Sequence, residues 1–82
     1  MGKLLIIDDD RFVSEMLCDM LRKMGHDIVC AYTAEEGLRA ALAHSFDVVF
    51  LDVQLPDGNG LMLLPRICTT PSAPEVIIIT GY

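Results

Sequence analysis

Residues 3–10, KLLIIDDD, decide the fold of this chain, because an unbroken apolar run ends there in three aspartates. An apolar run without polar alternation is typical of a strand buried on both faces, as strands of parallel sheets are. Two further runs, DVVFLD at 47–52 and EVIII at 75–79, and the shorter DIVCA at 27–31 complete a set of four predicted strands. Such strands indicate a sheet that is covered on both sides.

Residues 11–24, between the first two predicted strands, carry apolar residues at helical spacing. Charged residues fall largely on the opposite side, which is the pattern of an amphipathic helix. Gly25 follows, where a glycine commonly ends a helix. We expect the Met-rich apolar stripe to face the core rather than to form an adaptable binding face. Its members are Phe12, Val13, Met16, Leu17, Met20, Leu21 and Met24.

Two more helices are predicted between the remaining strands. Thr33 and Glu36 form a capping-box pattern that opens a helix over residues 34–44. A third helix is expected over residues 61–68, where Pro65 predicts a kink or a short helix. The order β-α-β-α-β-α-β implies a doubly wound α/β fold with a parallel sheet, right-handed crossovers and helices on both faces.

Composition and charge restrict the possible partners. The 82 residues suffice for one small domain. A net charge of −6 and six scattered basic residues argue against direct binding to nucleic acid or to an anionic membrane surface. No apolar run approaches the roughly 18 residues that a membrane-spanning helix needs. Cys18, Cys30 and Cys68 lie among apolar residues, so we expect reduced core thiols and a cytoplasmic location.

Aspartates end the first and third predicted strands. Asp8 and Asp9 follow the first strand, and Asp52 ends the third. In doubly wound sheets, ligands bind beyond the carboxyl ends of the strands, where the strand order reverses. In the flavodoxin-like order 2-1-3-4 this point lies between the first and third strands. The topology therefore predicts that all three carboxylates line one crevice.

Three carboxylates in one crevice repel one another, since two like charges about 4 Å apart cost roughly 4 kcal/mol at an effective dielectric constant near 20. Either one of them retains a proton, with a raised pKa, or a divalent cation neutralises the group. Oxygen ligands completed by water suit Mg²⁺ better than Ca²⁺. In the competing interpretation the aspartates only cap the first helix, which suits Asp10 or Asp9 but leaves Asp52 unexplained.

The residues also predict roles in phosphoryl transfer. Asp52 is the predicted nucleophile, because a carboxylate can form an acyl phosphate. A metal ion would screen the approaching anionic donor. Thr80, at the end of the fourth predicted strand, offers a hydroxyl to a phosphoryl oxygen, and Gly81 beside it leaves the mouth of the site open.

Taken together, these residues resemble the receiver domain of bacterial two-component response regulators. The resemblance covers the whole chain and rests on IIDDD at 6–10, FLD at 50–52 followed by LPDGNG at 55–60, and IIITGY at 77–82. It implies a signalling domain that assists its own phosphorylation and dephosphorylation, not an enzyme. Its phosphodonor would be a sensor histidine kinase, and its target would be the output domain, expected to be transcriptional, of the parent protein.

Individual roles follow from the same resemblance. It implies that Asp52 is the phosphorylated residue and that Asp8 and Asp9 are the acidic pair that holds Mg²⁺, with Asp9 the more direct ligand. It also implies that the backbone carbonyl of Gln54 completes the protein's metal ligands. Thr80 would be the switch hydroxyl that moves toward the phosphoryl group. The segment Leu-Pro-Arg-Ile and the ending Thr-Gly-Tyr are similar to receivers of nitrogen-regulation-type activators that work with sigma-54.

The chain departs from the family pattern after the fourth strand. Family receivers have five strands and five helices, and the loop after strand five carries a lysine for which this sequence has no counterpart. We therefore expect residues 1–82 to be the N-terminal part of one receiver domain, without the fifth strand and the last two helices. The fourth strand would then be a bare apolar edge, which predicts a homodimer across that strand or by exchange of elements.

Two other functions stay open at this level. A Mg²⁺-dependent phosphatase or phosphomutase of the haloacid-dehalogenase type also forms an aspartyl phosphate, but it uses an Asp-x-Asp pair on its first strand. A degenerate receiver fragment would act only as a dimerisation or interaction module, which the missing lysine favours and the intact acid set opposes. Turnover of a phosphate ester would indicate the first function, and loss of Mg²⁺ binding with dimerisation unaffected by acyl phosphate would indicate the second.

Overall fold

Parallel strands form the main sheet of the computed structural model, which describes residues 2–79. In chain order the elements are β1 (Lys3–Ile7), α1 (Arg11–Lys23), β2 (Asp27–Ala31), α2 (Ala34–Ala43), β3 (Val48–Asp52), β4 (Gln54–Leu55), β5 (Gly58–Asn59), a 3-10 helix (Gly60–Leu63), α3 (Leu64–Cys68) and β6 (Glu75–Ile79). The strand order across the main sheet is β2-β1-β3-β6. Because β6 is the fourth long strand, the predicted order 2-1-3-4 and the doubly wound α/β fold are confirmed.

The central strand β1 explains why its sequence is unbroken in apolar residues. It pairs in parallel with β2 on one side and with β3 on the other. The side chains of Leu5, Ile6 and Ile7 are fully buried. A central strand covered on both faces leaves no position at which a polar side chain would reach water.

Two apolar cores lie on opposite faces of the sheet. Leu4 and Ile6 point to the face that α1 covers, and Leu5 and Ile7 point to the face that α2 and α3 cover. Alternate side chains of a strand point to opposite faces, so one short strand contributes to both cores. No helix in the described part of the chain combines the length and the hydropathy that a bilayer crossing requires.

The prediction that the Met-rich stripe of α1 faces the core is confirmed for Leu17 and Leu21 and wrong for Phe12 and the methionines. Phe12 is 76% exposed. The other exposed members of the stripe are Met16, Met20 and Met24. The side that meets the sheet carries Ser14 and Cys18, both buried, with Leu17 and Leu21 packed beside them. Apolar residues occupy two sides of this helix, so their spacing could not show which side the sheet would cover.

Cys18 on α1 and Cys30 on β2 are joined in a disulfide, with their Cα atoms 7.4 Å apart. The prediction of three reduced core thiols is therefore wrong for this pair. Cys68 is free, as expected, but it is exposed rather than buried. The two paired residues are 12 positions apart in the chain, and only the packing of α1 on β2 brings them together.

The segment after β3 is more regular than the sequence predicts. The turn-rich loop contains an antiparallel pair, β4 with β5, and Gly58 at the start of β5 has a positive φ of 155°. The predicted helix over 61–68 is divided into the 3-10 helix and α3. Pro65 lies in the first turn of α3, where its missing N–H has no helical partner to lose. The short helix that Pro65 predicts is thus confirmed.

Candidate functional site

Parallel pairing of β1 with β3 brings acidic residues to one edge of the sheet. Ile7 pairs with Leu51 in this register, so Asp8 and Asp52 follow at the same level. One carboxylate oxygen from each of Asp8, Asp9 and Asp52 lies within 4.8 Å of the other two. The three acids predicted from the sequence are therefore neighbours in the structure.

The turn between β1 and α1 gives the consecutive aspartates different contacts. Asp10 is the N-cap of α1, since its Oδ1 accepts a 3.1 Å hydrogen bond from the N–H of Val13. Asp8 Oδ1 accepts a 3.0 Å hydrogen bond from the N–H of Asp10, which orients the Asp8 carboxylate. The capping role expected for Asp10 or Asp9 is confirmed for Asp10, and Asp8 and Asp9 belong to the acid cluster.

Ser14 supports this turn from within α1. Its side chain is fully buried, and its hydroxyl donates to the carbonyl oxygen of Asp8 at 3.4 Å. The N–H of Asp8 donates to the carbonyl of Ala31 on β2 at 3.1 Å. The position of Asp8 is therefore fixed from both neighbouring elements. Ser14 could not be predicted from the sequence, because the apolar spacing of α1 does not show which side of the helix is buried.

Asp52 is the most enclosed member of the acid cluster, with 7% of its surface exposed. Its Oδ1 accepts a 3.2 Å hydrogen bond from the N–H of Gln54. Gly60 packs so closely on the carbonyl oxygen of Asp52 that a Cβ at position 60 would overlap it. The N–H of Gly60 also donates to the carbonyl of Val53 at 2.6 Å. Glycine at position 60 is what allows the loop to close against the end of β3.

The acid cluster raises the pKa of Asp8 above its ordinary value of 3.8. Burial is the largest cause, because it disfavours the charged form. Asp52 adds to the rise through its charge and a hydrogen bond, and Asp10 adds through its charge, whereas the N–H of Asp10 acts in the opposite direction. Proton uptake at Asp8 thus partly relieves the repulsion in the cluster, and a bound cation would relieve it as well.

The donor set of the cluster fits a hard divalent cation. All three donors are carboxylate oxygens, which are the ligands that Mg²⁺ and Ca²⁺ prefer. The three oxygens lie within 4.8 Å of one another, so Asp8, Asp9 and Asp52 would together hold such an ion.

The structure describes one of the two other predicted site residues, Gln54. Gln54 begins β4, two residues beyond Asp52, and its N–H contacts that carboxylate. Thr80 lies outside the described residues. Ile79, which precedes Thr80 in the chain, pairs in register with Asp52.

Asp57, near the proposed site, makes a contact with α2 that the sequence did not predict. It lies between β4 and β5 and accepts hydrogen bonds from the N–H groups of Ala34 and Glu35 at the start of α2, at 2.7 and 3.0 Å. These hydrogen bonds hold the pKa of Asp57 below its ordinary value of 3.8. The sequence around Asp57 indicates only a turn, because its partners are more than 20 positions away.

A parallel sheet in this order, with acids gathered at the ends of β1 and β3, defines a receiver-type domain. Residues 4–82 match the family model described as the response regulator receiver domain. The chain belongs to that family, as the sequence resemblance indicated.

Individual relatives agree with this assignment. The chain is 38% identical over 74 residues to an uncharacterised transcriptional regulatory protein, YcbL, of Bacillus subtilis, which covers 90% of this chain and 33% of that protein. A response regulator receiver domain protein (CheY-like) from Methanospirillum hungatei has a TM-score of 0.94 at 30% identity, over 100% of this chain and 66% of that one. TrrA of Thermotoga maritima, solved in complex with Mg(2+)-BeF, has a TM-score of 0.88 at 29% identity, over 100% and 71%. The chain spans about a third of the length of such curated relatives.

Proposed function

We propose that this chain is a phospho-acceptor receiver of a two-component response regulator, with Asp52 as the residue that takes the phosphoryl group. The observation that carries the proposal is the acid cluster, in which Asp52 lies within 4.8 Å of both Asp8 and Asp9, measured between carboxylate oxygens. Asp52 ends a central strand that otherwise carries apolar residues, a position that a structural role does not explain. The membership of the family supports the same assignment.

Each acid has a separate role in this proposal. An Asp52 carboxylate oxygen attacks the phosphorus of the donor, and an O–P bond forms as the bond from phosphorus to the leaving group breaks. Asp8, Asp9 and the backbone carbonyl of Gln54 would hold Mg²⁺ together with Asp52. When bound, Mg²⁺ neutralises charge on the acids and on the phosphoryl oxygens. The Mg(2+)-BeF complex of Thermotoga TrrA supports this choice of ion.

Thr80 keeps its predicted role as the switch hydroxyl. A hydroxyl placed at the end of the fourth strand would donate to a phosphoryl oxygen on Asp52. The pairing of Ile79 with Asp52 supports this role, since it brings the preceding residue to the level of the acceptor.

The partners follow from the same function. The phosphodonor would be a sensor histidine kinase, and the receiver would switch an output domain of the parent protein in the cytoplasm. The name of the Bacillus relative, a transcriptional regulatory protein, supports a transcriptional output. The link to sigma-54 activators and the homodimer across β6 stay predictions. The receiver would be a signalling domain that assists its own phosphorylation and dephosphorylation, without acting as an enzyme on other substrates.

The decisive experiment is intact-mass measurement after incubation with acetyl phosphate and Mg²⁺. We expect one added phosphoryl group on the wild-type chain and none on Asp52→Asn, because the amide cannot form an acyl phosphate. Asp10→Asn is a matched control, since Asp10 caps α1 and an asparagine cap is equally favoured. Labelling of Asp52→Asn would refute the assignment of the acceptor. If the wild-type chain neither gained a phosphoryl group nor bound Mg²⁺, a pure interaction module would replace the proposal.

A further inference from the structure

The N–H groups at the N-terminus of α2 donate hydrogen bonds to two different parts of the chain. The first helical N–H groups have no partner inside a helix and must find one elsewhere. Thr33 is the local cap, because its hydroxyl accepts from the N–H of Glu36 at 3.1 Å and its carbonyl from the N–H of Gly37 at 3.0 Å. The N–H groups of Ala34 and Glu35 remain, and both donate to the carboxylate of the distant Asp57.

Asp57 belongs to the short hairpin that directly follows the proposed acceptor. At the base of this hairpin, the N–H of Gln54 contacts the Asp52 carboxylate at 3.2 Å, and the N–H of Gly60 contacts the carbonyl of Val53 at 2.6 Å. At its tip, both carboxylate oxygens of Asp57 contact α2. The hairpin is therefore held at both ends, with Gln54 at its base and Asp57 at its tip.

The helix to which Asp57 binds is itself firmly placed beside the acid cluster. Gly37 in α2 lies so close to Ile7 that an added Cβ would be 2.6 Å from Cδ1 and 2.9 Å from Cγ1 and Cγ2 of that side chain. Ile7 is fully buried and directly precedes Asp8. The start of α2 thus offers the loop an anchor that is positioned by the same strand that carries the acid pair.

The local cap residues do not supply this contact. Thr33 and Glu36 already form the local cap, with Glu36 also accepting from the N–H of Tyr32 at 2.9 Å. Asp57 adds two charge-assisted hydrogen bonds from a loop 22 and 23 residues away, and such bonds favour one relative position of the two segments. The segment with the most to gain is the two-strand hairpin, in which Leu55 is buried and the other strand residues are exposed, because a pair this short is marginal without further support.

We infer that Asp57 is a positioning residue, which ties the hairpin after β3 to the N-terminus of α2 and so holds the backbone of Gln54 in place for the metal. This inference rests on the proposed function for the part that concerns Mg²⁺. The contact of Asp57 with the N-terminus of α2 can be measured in the absence of any ion. Asp57 acts through the loop and touches no reacting atom.

The first test compares Asp57→Ala, Asp57→Asn and Asp19→Ala with the wild-type chain. We expect Asp57→Ala to raise the Mg²⁺ concentration for half-maximal labelling by acetyl phosphate, and the calorimetric Kd for Mg²⁺, by about tenfold, the low end for residues that orient metal ligands. The labelling rate at saturating Mg²⁺ should be nearly unchanged. Asp57→Asn keeps one oxygen acceptor and should show a smaller shift. Asp19→Ala removes the same charge from an exposed position on α1 and should show none.

The second test follows amide hydrogen exchange by NMR without Mg²⁺. In Asp57→Ala we expect faster exchange at Ala34 and Glu35, which lose their acceptor, and also at Gly60, whose partner lies within the loop. Faster exchange at Ala34 and Glu35 alone would overturn the inference, since Asp57 would then be only a helix cap. An unchanged Mg²⁺ midpoint in a wild-type chain that binds Mg²⁺ would overturn it as well. A wild-type chain that fails to bind Mg²⁺ refutes the proposed function, and the exchange at Gly60 still decides whether the tie exists.

Discussion

The consecutive aspartates between β1 and α1 perform different tasks because each has different neighbours. The Asp10 carboxylate caps the start of α1, and Asp9 is the exposed member of the acid cluster. Asp8 is partly buried between the turn and Asp52, which raises its pKa. The ionised form of Asp8 is therefore less stable in the folded chain than in the unfolded chain when no cation is bound.

Replacement of Asp8 by asparagine should stabilise the chain in the absence of metal at neutral pH. The folded pKa lies above the unfolded value, so the destabilisation is full above the folded pKa and disappears as the pH falls below 3.8. Urea melts of Asp8→Asn and wild type should thus differ most near neutral pH and converge in acid. We expect Asp8→Asn to need more urea for half-unfolding near neutral pH, by a margin that solvent screening of the partly exposed Asp8 keeps small.

Added Mg²⁺ provides the control for this prediction. Mg²⁺ should raise the Tm of the wild-type chain, since a ligand that binds only the folded state stabilises it. Asp8→Asn should respond less, because one carboxylate of the set is gone. A variant that is less stable than the wild type in a chelator at neutral pH would contradict the repulsion that the pKa of Asp8 indicates.

At the scale of elements, the contact of α2 with β1 is set by the absence of a side chain. Gly37 of α2 faces Ile7, the last residue of β1, and the acid pair follows directly in the chain. A helix interior normally disfavours glycine by about 1 kcal/mol relative to alanine. The close approach of the helix to the sheet explains why glycine stands there.

Gly37→Ala should destabilise the chain although alanine is the better helix former. Overpacking costs about 1–3 kcal/mol, which exceeds the gain in helix propensity of about 1 kcal/mol, so we expect a net loss near 1 kcal/mol. Chemical denaturation provides the measurement. In an Ile7→Val background, which lacks the Cδ1 atom nearest to the new methyl group, the loss should be smaller. Equal losses in both backgrounds would show that the contact with Ile7 is not the cause.

At the scale of the whole molecule, α1 is connected to the sheet by packing and by a covalent bond. Leu17 and Leu21 pack on the face of the sheet that β1 and β2 share, and Cys18 is bonded to Cys30 on the edge strand β2. Disulfides are uncommon in the reduced cytosol. The bond between Cys18 and Cys30 can be tested by alkylation of the protein with and without prior reduction.

Alkylation under denaturing conditions should distinguish the three cysteines. Without reductant, we expect one iodoacetamide adduct, at the free Cys68, because Cys18 and Cys30 are bonded to each other. After reduction we expect three adducts, and peptide mapping identifies the positions. Cys68→Ser, which should show no adduct before reduction, is the control. Three adducts without reductant would restore the sequence-based expectation of reduced thiols.

Most of the fold could be predicted from local patterns, and the proximity of three acids could be predicted from the strand order. The runs at residues 3–7 and 75–79 indicate buried strands, and the Thr33–Glu36 capping box marks the start of α2 correctly. Asp8, Asp9 and Asp52 could be grouped because topology places the ends of β1 and β3 together. These predictions succeed because strand burial and helix capping depend on neighbouring residues.

The strands, the α/β alternation and the acid cluster follow from the amino-acid sequence, since each depends on short-range periodicity or on strand order. The side of α1 that meets the sheet is set by tertiary packing, because apolar residues occupy both the inner side at Leu17 and the outer side at Phe12. Tertiary packing also sets the Cys18–Cys30 pairing and the contact of Asp57 with α2. These contacts join segments 12 to 23 residues apart, and a pattern within one segment carries no information about a partner in another.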